Sequence, residues 1–219
     1  MSPDVDPFLE AILTQPDLRT PRLIFADYLE EQGDPRAACL RWQASVWERA
    51  EHLPWPTARR RDLDLTPLQQ DEARLRFFAC LSVRLTPWQS TSLLGLRTRR
   101  LRVWDWLTPS AHSAIAAAEL YAAGLFTVNR LRRSMHDIRA VQGMTVVSSL
   151  QQVQDAAADA ARYAATEAST TVTLAATTAL TAVYWACQEK QASQTRQVMG
   201  RARAFQQALV RLVVETPME

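Results

Sequence analysis

The order of apolar and polar residues along the chain predicts a protein built from α-helices. Apolar residues recur every three or four positions, whereas the strict alternation that marks a half-buried strand is almost absent. Helix-favouring residues such as Ala, Leu, Arg, Gln and Glu dominate, and the 219 residues include only 5 glycines. We therefore expect an all-α fold, a multi-helix bundle.

Pairs of a capping residue and a proline divide the first part of the chain into helices. The capping side chain satisfies a free amide at the start of a helix, and proline already has a helical φ. Gly33 adds a stop, because glycine readily adopts the left-handed conformation that ends many helices. The pattern predicts a small three-helix unit over residues 1–53. The pairs are Asp6-Pro7, Thr20-Pro21 and Asp34-Pro35, and the helices are expected to end near residues 15, 32 and 53.

The remainder is predicted to be a linker and a helical body. Residues 54–65, PWPTARRRDLDL, contain two prolines and three consecutive arginines and are interpreted as the linker. Residues 148–215 are rich in alanine and lack proline; as one helix they would span about 100 Å, so we expect two or three long helices there. The body, 66–219, is predicted to hold helices over 67–84, 101–107, 110–123 and 127–141, with an irregular stretch at 86–100.

Charge is uneven along the chain although the net charge is only +2. Residues 1–58 carry 5 arginines against 10 acids, and residues 59–139 carry 14 arginines against 7 acids. Every basic residue except Lys190 is arginine. This preference for arginine over lysine either serves bidentate recognition of phosphate or carboxylate or reflects a GC-rich genome. The map predicts an acidic first unit and a basic middle.

The cysteines and the apolar runs bear on the compartment. Cys39, Cys80 and Cys187 are odd in number and far apart, so we expect small core residues and no disulfides, as in a reducing compartment. No apolar run approaches the ~20 residues that span a bilayer, and the first residues lack a basic segment followed by an apolar one. We expect a soluble, cytoplasmic protein without membrane contact.

Four short segments within residues 8–43 form a dense pattern: RL at 22–23, FADYLEE at 25–31, GDPR at 33–36 and LRWQ at 40–43. With these segments, residues 8–43 resemble the bacterial repeat-companion domain. That family is a short module near the amino terminus of many dissimilar proteins, often followed by leucine-rich, WD-type or other repeats. Tyr28 stands where the family more usually has tryptophan.

A second resemblance covers RLRFFACLSVR at 74–84 and RVWDWLTPSAHSAIAAAELYAAG at 102–124. These segments are similar to a helical region of large, uncharacterised bacterial paralogue families, in which the region is usually cysteine-rich and uninterrupted. Here an insertion at about 85–101 divides it, and only Cys80 remains of the cysteines. Neither resemblance implies a catalytic activity.

Two groups of charged residues are the candidate interaction sites. Asp27, Glu30 and Glu31 lie on the polar side of the second predicted helix, where they either pair with water and nearby arginines (Arg22, Arg36, Arg41) or dock a basic partner. The arginines of the middle segment, interleaved with tryptophans, either grip phosphates and stack bases or only neutralise acids and solvate helices. Candidates in this second group are Arg59, Arg60, Arg61, Arg99, Arg100 and Trp104.

Catalytic, metal and nucleotide sites are not indicated. His52, His112 and His136 show no zinc-type spacing with one another or with the cysteines. Ser134, His136 and Asp137 are too close in sequence to converge as a triad, and no glycine-rich phosphate loop occurs. We predict no cofactor and a non-enzymatic helical module that binds another protein, as an adaptor or small subunit of a larger bacterial assembly. A nucleic-acid-binding accessory protein is the alternative, and the carboxy-terminal helices offer a route to homo-oligomers.

Overall fold

The computed structural model describes residues 6–56, 62–89, 100–141, 159, 178–179, 181 and 192–218. These residues form an all-α, multi-helix fold with one short antiparallel ladder, which confirms the predicted fold class. No helix in the described ranges is both long enough and apolar enough to cross a membrane. The helices are α1 (Asp6–Thr14), α2 (Thr20–Glu31), α3 (Arg36–Glu51), α4 (Glu72–Leu85), α5 (Pro109–Ala122), α6 (Val128–Val141) and α7 (Ala192–Glu215), and the strands are β1 (Pro87–Gln89) and β2 (Arg100–Arg102).

Local signals set the boundary between α2 and α3. Gly33 has φ +68° and ends α2. The amide of Asp34 donates back to the carbonyl of Leu29 at 2.8 Å, as is usual where a residue in the left-handed conformation ends an α-helix. The Asp34 carboxylate then accepts from the amide of Arg36 at 2.9 Å, at the start of α3. The cap predicted at Thr20 is different, because Arg19 precedes α2 and no side chain caps that end.

The helix predicted from residue 67 begins later. Thr66–Leu68 forms only a 3₁₀ turn, and α4 starts at Glu72. Asp71 caps α4 instead, because its Oδ1 accepts from the amide of Arg74 at 2.9 Å. The negative charge of Glu72, in the first turn, is favourable at the positive amino-terminal end of the helix dipole. The Thr-Pro pair therefore marks a turn here, and Asp71 marks the helix.

The region after α4 differs from its prediction. Part of the stretch expected to be irregular is paired, with Trp88 opposite Leu101 in the antiparallel ladder of β1 and β2. The short helix predicted over 101–107 is confirmed only in part, since a 3₁₀ turn forms at Val103–Trp106 while residues 101 and 102 belong to β2. Asp105 explains the tight turn, because its Oδ2 accepts from the amide of Arg102 at 2.7 Å.

α5 begins and ends at its predicted signals. Thr108 caps α5 by accepting from the amide of Ala111 at 3.3 Å, and Gly124, with φ +71°, follows its end. α7 is one continuous helix of 24 residues. Most of the predicted alanine-rich region before α7 lies outside the described residues.

α4 is the centre of the core. Every side chain from Leu75 to Leu85 is buried, and α4 packs against α3, α5 and α7. The same continuous core includes Leu9 and Ile12 of α1. The domain boundaries predicted at residues 53 and 66 stay predictions. The described ends of the predicted linker also pack on this core. The amide of Asp64 donates to Gln207 of α7 at 2.8 Å.

Candidate interaction surface

The acids predicted on α2 lie on its solvent-exposed side. The side chains of Asp27 and Glu30 are 65% and 61% exposed, and Glu31 is exposed too. Arg41 of α3 bridges the first two: its Nη2 donates to Asp27 Oδ1 at 2.7 Å, and its Nη1 donates to Glu30 Oε1 at 3.0 Å. Both bonds raise the pKa of Arg41, and the bond to Glu30 contributes more than the bond to Asp27. The expected pairing with Arg41 is confirmed.

Large apolar side chains continue the same side of the molecule. Leu23 and Ile24 of α2 are 42% and 52% exposed, and Leu18, just before the helix, is 50% exposed. Helical spacing puts positions 20, 23, 24, 27, 30 and 31 on one face, opposite the buried residues 22, 25, 26 and 29. We call the exposed side chains of Leu18, Leu23, Ile24, Asp27, Glu30 and Glu31 the α2 face.

A groove of about 490 Å³ runs beside the α2 face, between α2 and α3. Ion pairs edge it: Arg19 lies 3.3 Å from Glu48, and Arg102 lies 3.7 Å from Glu51. Over the groove and the α2 face together, six carboxylates oppose three guanidinium groups, a net charge of −3. The carboxylates are Asp17, Asp27, Glu30, Glu31, Glu48 and Glu51, and the guanidinium groups are Arg19, Arg41 and Arg102.

A second cleft, of about 650 Å³, lies between the second half of α1, the start of α5 and the middle of α6. His112 lies in it, and its Nε2 is 3.0 Å from the carbonyl oxygen of Trp104. Ser113 of α5 donates its hydroxyl to the carbonyl of Leu13 at 3.0 Å, which ties α5 to α1. Asp17 lines both this cleft and the α2–α3 groove.

A buried ion network lies behind the α2 face. Arg22 donates from Nη2 to Glu119 Oε2 at 2.6 Å, and Arg84 donates from Nε to Glu119 Oε1 at 2.6 Å. Burial alone would raise the pKa of Glu119, but the attraction of Arg84 and then of Arg22 outweighs it and lowers that pKa. The expectation that Arg22 pairs with the acids of α2 is wrong, because Arg22 points to the buried side and reaches α5.

Trp104 corrects the predicted nucleic-acid surface. Its side chain is only 8% exposed, the ring of His112 stacks on it with centroids 4.0 Å apart, and Arg84 Cζ lies 3.8 Å from its centroid. A base cannot reach a ring that is already covered. Of the arginine candidates, 59–61 and 99 lie outside the described residues, and Arg100 is described only as backbone, opposite Gln89 in the ladder.

The described residues form no cluster of metal ligands. No three His, Cys, Asp or Glu side chains among them come close enough to hold a metal ion. Ser134, which lies close in sequence to His136 and Asp137, donates its hydroxyl to the carbonyl of Arg130 at 3.2 Å. Cys39 and Cys80 are free thiols, and burial raises the pKa of Cys39 to about 11 and that of Cys80 further still.

Sequence reasoning missed the apolar part of the α2 face. The signal was present: Arg22, Phe25, Ala26 and Leu29 are spaced as one helical face, which leaves Leu23 and Ile24 on the other. Comparison with known proteins yields no match, since no family model, no curated protein and no solved structure is similar to this chain. Among the described residues, the α2 face and the two clefts that meet at Asp17 are accessible features.

Proposed function

We propose that this protein is a non-enzymatic helical interaction module that binds another protein through the α2 face. The observation that carries the proposal is the exposure of Leu18, Leu23 and Ile24 side by side with three carboxylates. Single exposed apolar residues are ordinary, but a contiguous group with a polar border is typical of interaction sites. The module would act as an adaptor or small subunit of a larger bacterial assembly in the cytoplasm.

The apolar residues supply the affinity. Full burial of a Leu or Ile side chain is worth roughly 1.5–3 kcal/mol. The three side chains are about half exposed, so covering them gains about 1 kcal/mol each, or about 3 kcal/mol together. That gain corresponds to roughly a hundredfold in binding constant.

The charges select the partner. A net charge of −3 around the groove favours a basic segment and speeds its approach. The 12 residues of α2 span about 18 Å, which matches an amphipathic helix that lays its apolar side on Leu18, Leu23 and Ile24. The partner chemistry is therefore a basic, amphipathic helix of another protein.

The resemblance to the repeat-companion domain supports an interaction role. Residues 8–43 contain most of α1, all of α2 and half of α3, so the resembling segment includes the whole α2 face. Members of that family stand next to unrelated kinds of repeat in different proteins, as is expected of a module that attaches one protein to another. Membership in that family stays a prediction.

Selection of displayed peptides tests the proposal. A library of helical peptides of about 14 residues, about 21 Å long, is selected on the wild-type protein and counter-selected on Leu23→Ser/Ile24→Ser. We expect enriched peptides with apolar residues at helical spacing and flanking Lys or Arg. Met218→Ser is the matched control, because Met218 is also exposed, at 40%, but lies elsewhere. Failure to enrich any sequence that needs Leu23 and Ile24 would refute the proposal.

The nucleic-acid alternative has less support, because Trp104 is covered by His112 and Arg84. Its test is retention of a single-stranded oligonucleotide between about 50 and 200 mM salt, where phosphate contacts lose affinity steeply. Retention that falls steeply with salt and is lost in Arg59→Glu/Arg60→Glu/Arg61→Glu would favour it over the protein-binding proposal.

A further inference from the structure

We infer that the partner segment bound at the α2 face continues past Asp17 into the cleft between α1 and α5 and places a basic side chain there. The inference rests on the proposed function and adds a second contact to it. The two clefts lie on either side of the turn that joins α1 to α2, and Asp17 lines both. Leu18, the next residue, is 50% exposed at the junction, so one bound segment can touch both.

The size and charge of the α1–α5 cleft fit a lysine or arginine side chain. Its volume of about 650 Å³ falls within the range of ligand-binding clefts. Glu10 and Asp17 line it, and its described lining includes neither Lys nor Arg. Arg84 approaches Asp17 from behind at 3.8 Å, but Arg84 makes two closer bonds to Glu119, at 2.6 and 3.0 Å. The cleft therefore has a net negative lining.

The hydrogen-bonding groups of the cleft point to the same occupant. A carbonyl oxygen only accepts, so the Nε2 of His112 facing Trp104 carries the hydrogen. The hydroxyls of Ser113 and Ser134 already donate to backbone carbonyls at 3.0 and 3.2 Å, which leaves their lone pairs. Ser110 shares one hydrogen bond with Thr108. Lysine and arginine side chains carry several donors and no acceptor, the complement of this lining.

Site-specific photocross-linking tests the inference on the full chain. A photoreactive phenylalanine derivative replaces Thr14 in the α1–α5 cleft, Ser45 in the α2–α3 groove, or Gln69, which is exposed and lines neither. The probe is the peptide selected above, together with copies in which one Lys or Arg at a time is replaced by methionine.

We expect cross-links at positions 14 and 45 and none at 69. Replacing one particular basic residue of the peptide should abolish the cross-link at 14 and weaken binding about threefold to fivefold, the scale of an exposed ion pair. The variant protein Glu10→Gln/Asp17→Asn should bind the parent peptide and the peptide lacking that basic residue with equal affinity.

The outcomes separate the two proposals. A cross-link at 45 without one at 14 overturns the inference and leaves the proposed function standing. Loss at both positions removes both proposals. A cross-link at 14 that survives every replacement in the peptide also overturns the inference, because the cleft would then bind the segment without a basic side chain.

Discussion

Replacing Glu119 by glutamine removes one negative charge from the middle of the fold while keeping the size of the side chain. The Glu119 side chain is 1% exposed and lies between Arg22 and Arg84, which are each 2% exposed. The glutamine oxygen can accept from one guanidinium group, but its NH₂ group is a donor and faces the other. Two buried positive charges would then share no carboxylate.

The expected loss in the free energy of unfolding is large. Removing one partner of a buried ion pair costs about 3–5 kcal/mol, because the remaining charge stays buried without compensation. Whole domains are stable by about 5–15 kcal/mol. For a chain of this size each kcal/mol lowers Tm by about 2–4 °C, so Tm should fall by roughly 6–20 °C.

Urea unfolding followed by circular dichroism and tryptophan fluorescence measures this loss. Glu72→Gln is the matched control: Glu72 accepts from the buried Arg76 at 3.0 Å but is itself 63% exposed. Water can replace that carboxylate, so the control should lose less than about 1 kcal/mol.

A third variant keeps the test informative if Glu119→Gln does not fold. Arg22→Met/Glu119→Leu/Arg84→Met removes all three charges together and should be near neutral or more stable than the wild type, because no buried charge is left unpaired. The reasoning is refuted if Glu119→Gln changes stability by less than about 1 kcal/mol, or if the triple variant is as unstable as the single one.

Further predictions concern pH, a helix end and the thiols. Stability should fall on acidification below about pH 5, because neighbouring arginines lower the pKa values of Glu119 and Asp34 below their ordinary values of 4.5 and 3.8. The unfolded chain therefore binds protons first. Acid titration of the unfolding midpoint checks this, and a rise in stability below about pH 4 would contradict it. Gly33→Ala should cost about 1 kcal/mol at φ +68°, and Gly33→Asn less, in the same urea assay; equal losses would refute the backbone explanation. In alkylation at pH 8 with peptide mapping, Cys80 should react only on unfolding, because burial raises its thiol pKa, and Cys39, with a pKa of about 11, should react slowly; rapid native labelling of Cys80 would show that α4 opens.

Most helix limits could be predicted because their causes are local. Asp34 meets an amide two residues away, and Gly33 needs only its own backbone freedom. One error came where two local signals competed. Thr66-Pro67 and Asp71 both mark helix starts, and the hydrogen bond from the amide of Arg74 shows that Asp71 prevailed.

The sequence by itself determined that this chain forms helices, where several of them begin and end, and that Asp27 and Glu30 face solvent. Only the tertiary structure decided which charges are buried together. Arg22 and Arg41 are the same residue type. Arg41 pairs at the surface with acids 14 and 11 residues earlier, on the preceding helix, whereas Arg22 meets Glu119 across 97 residues. The same holds for Trp104, whose ring is covered by His112 and Arg84. The physical reason is that capping and φ preferences act within a few residues, whereas burial and charge pairing depend on which distant segments pack together.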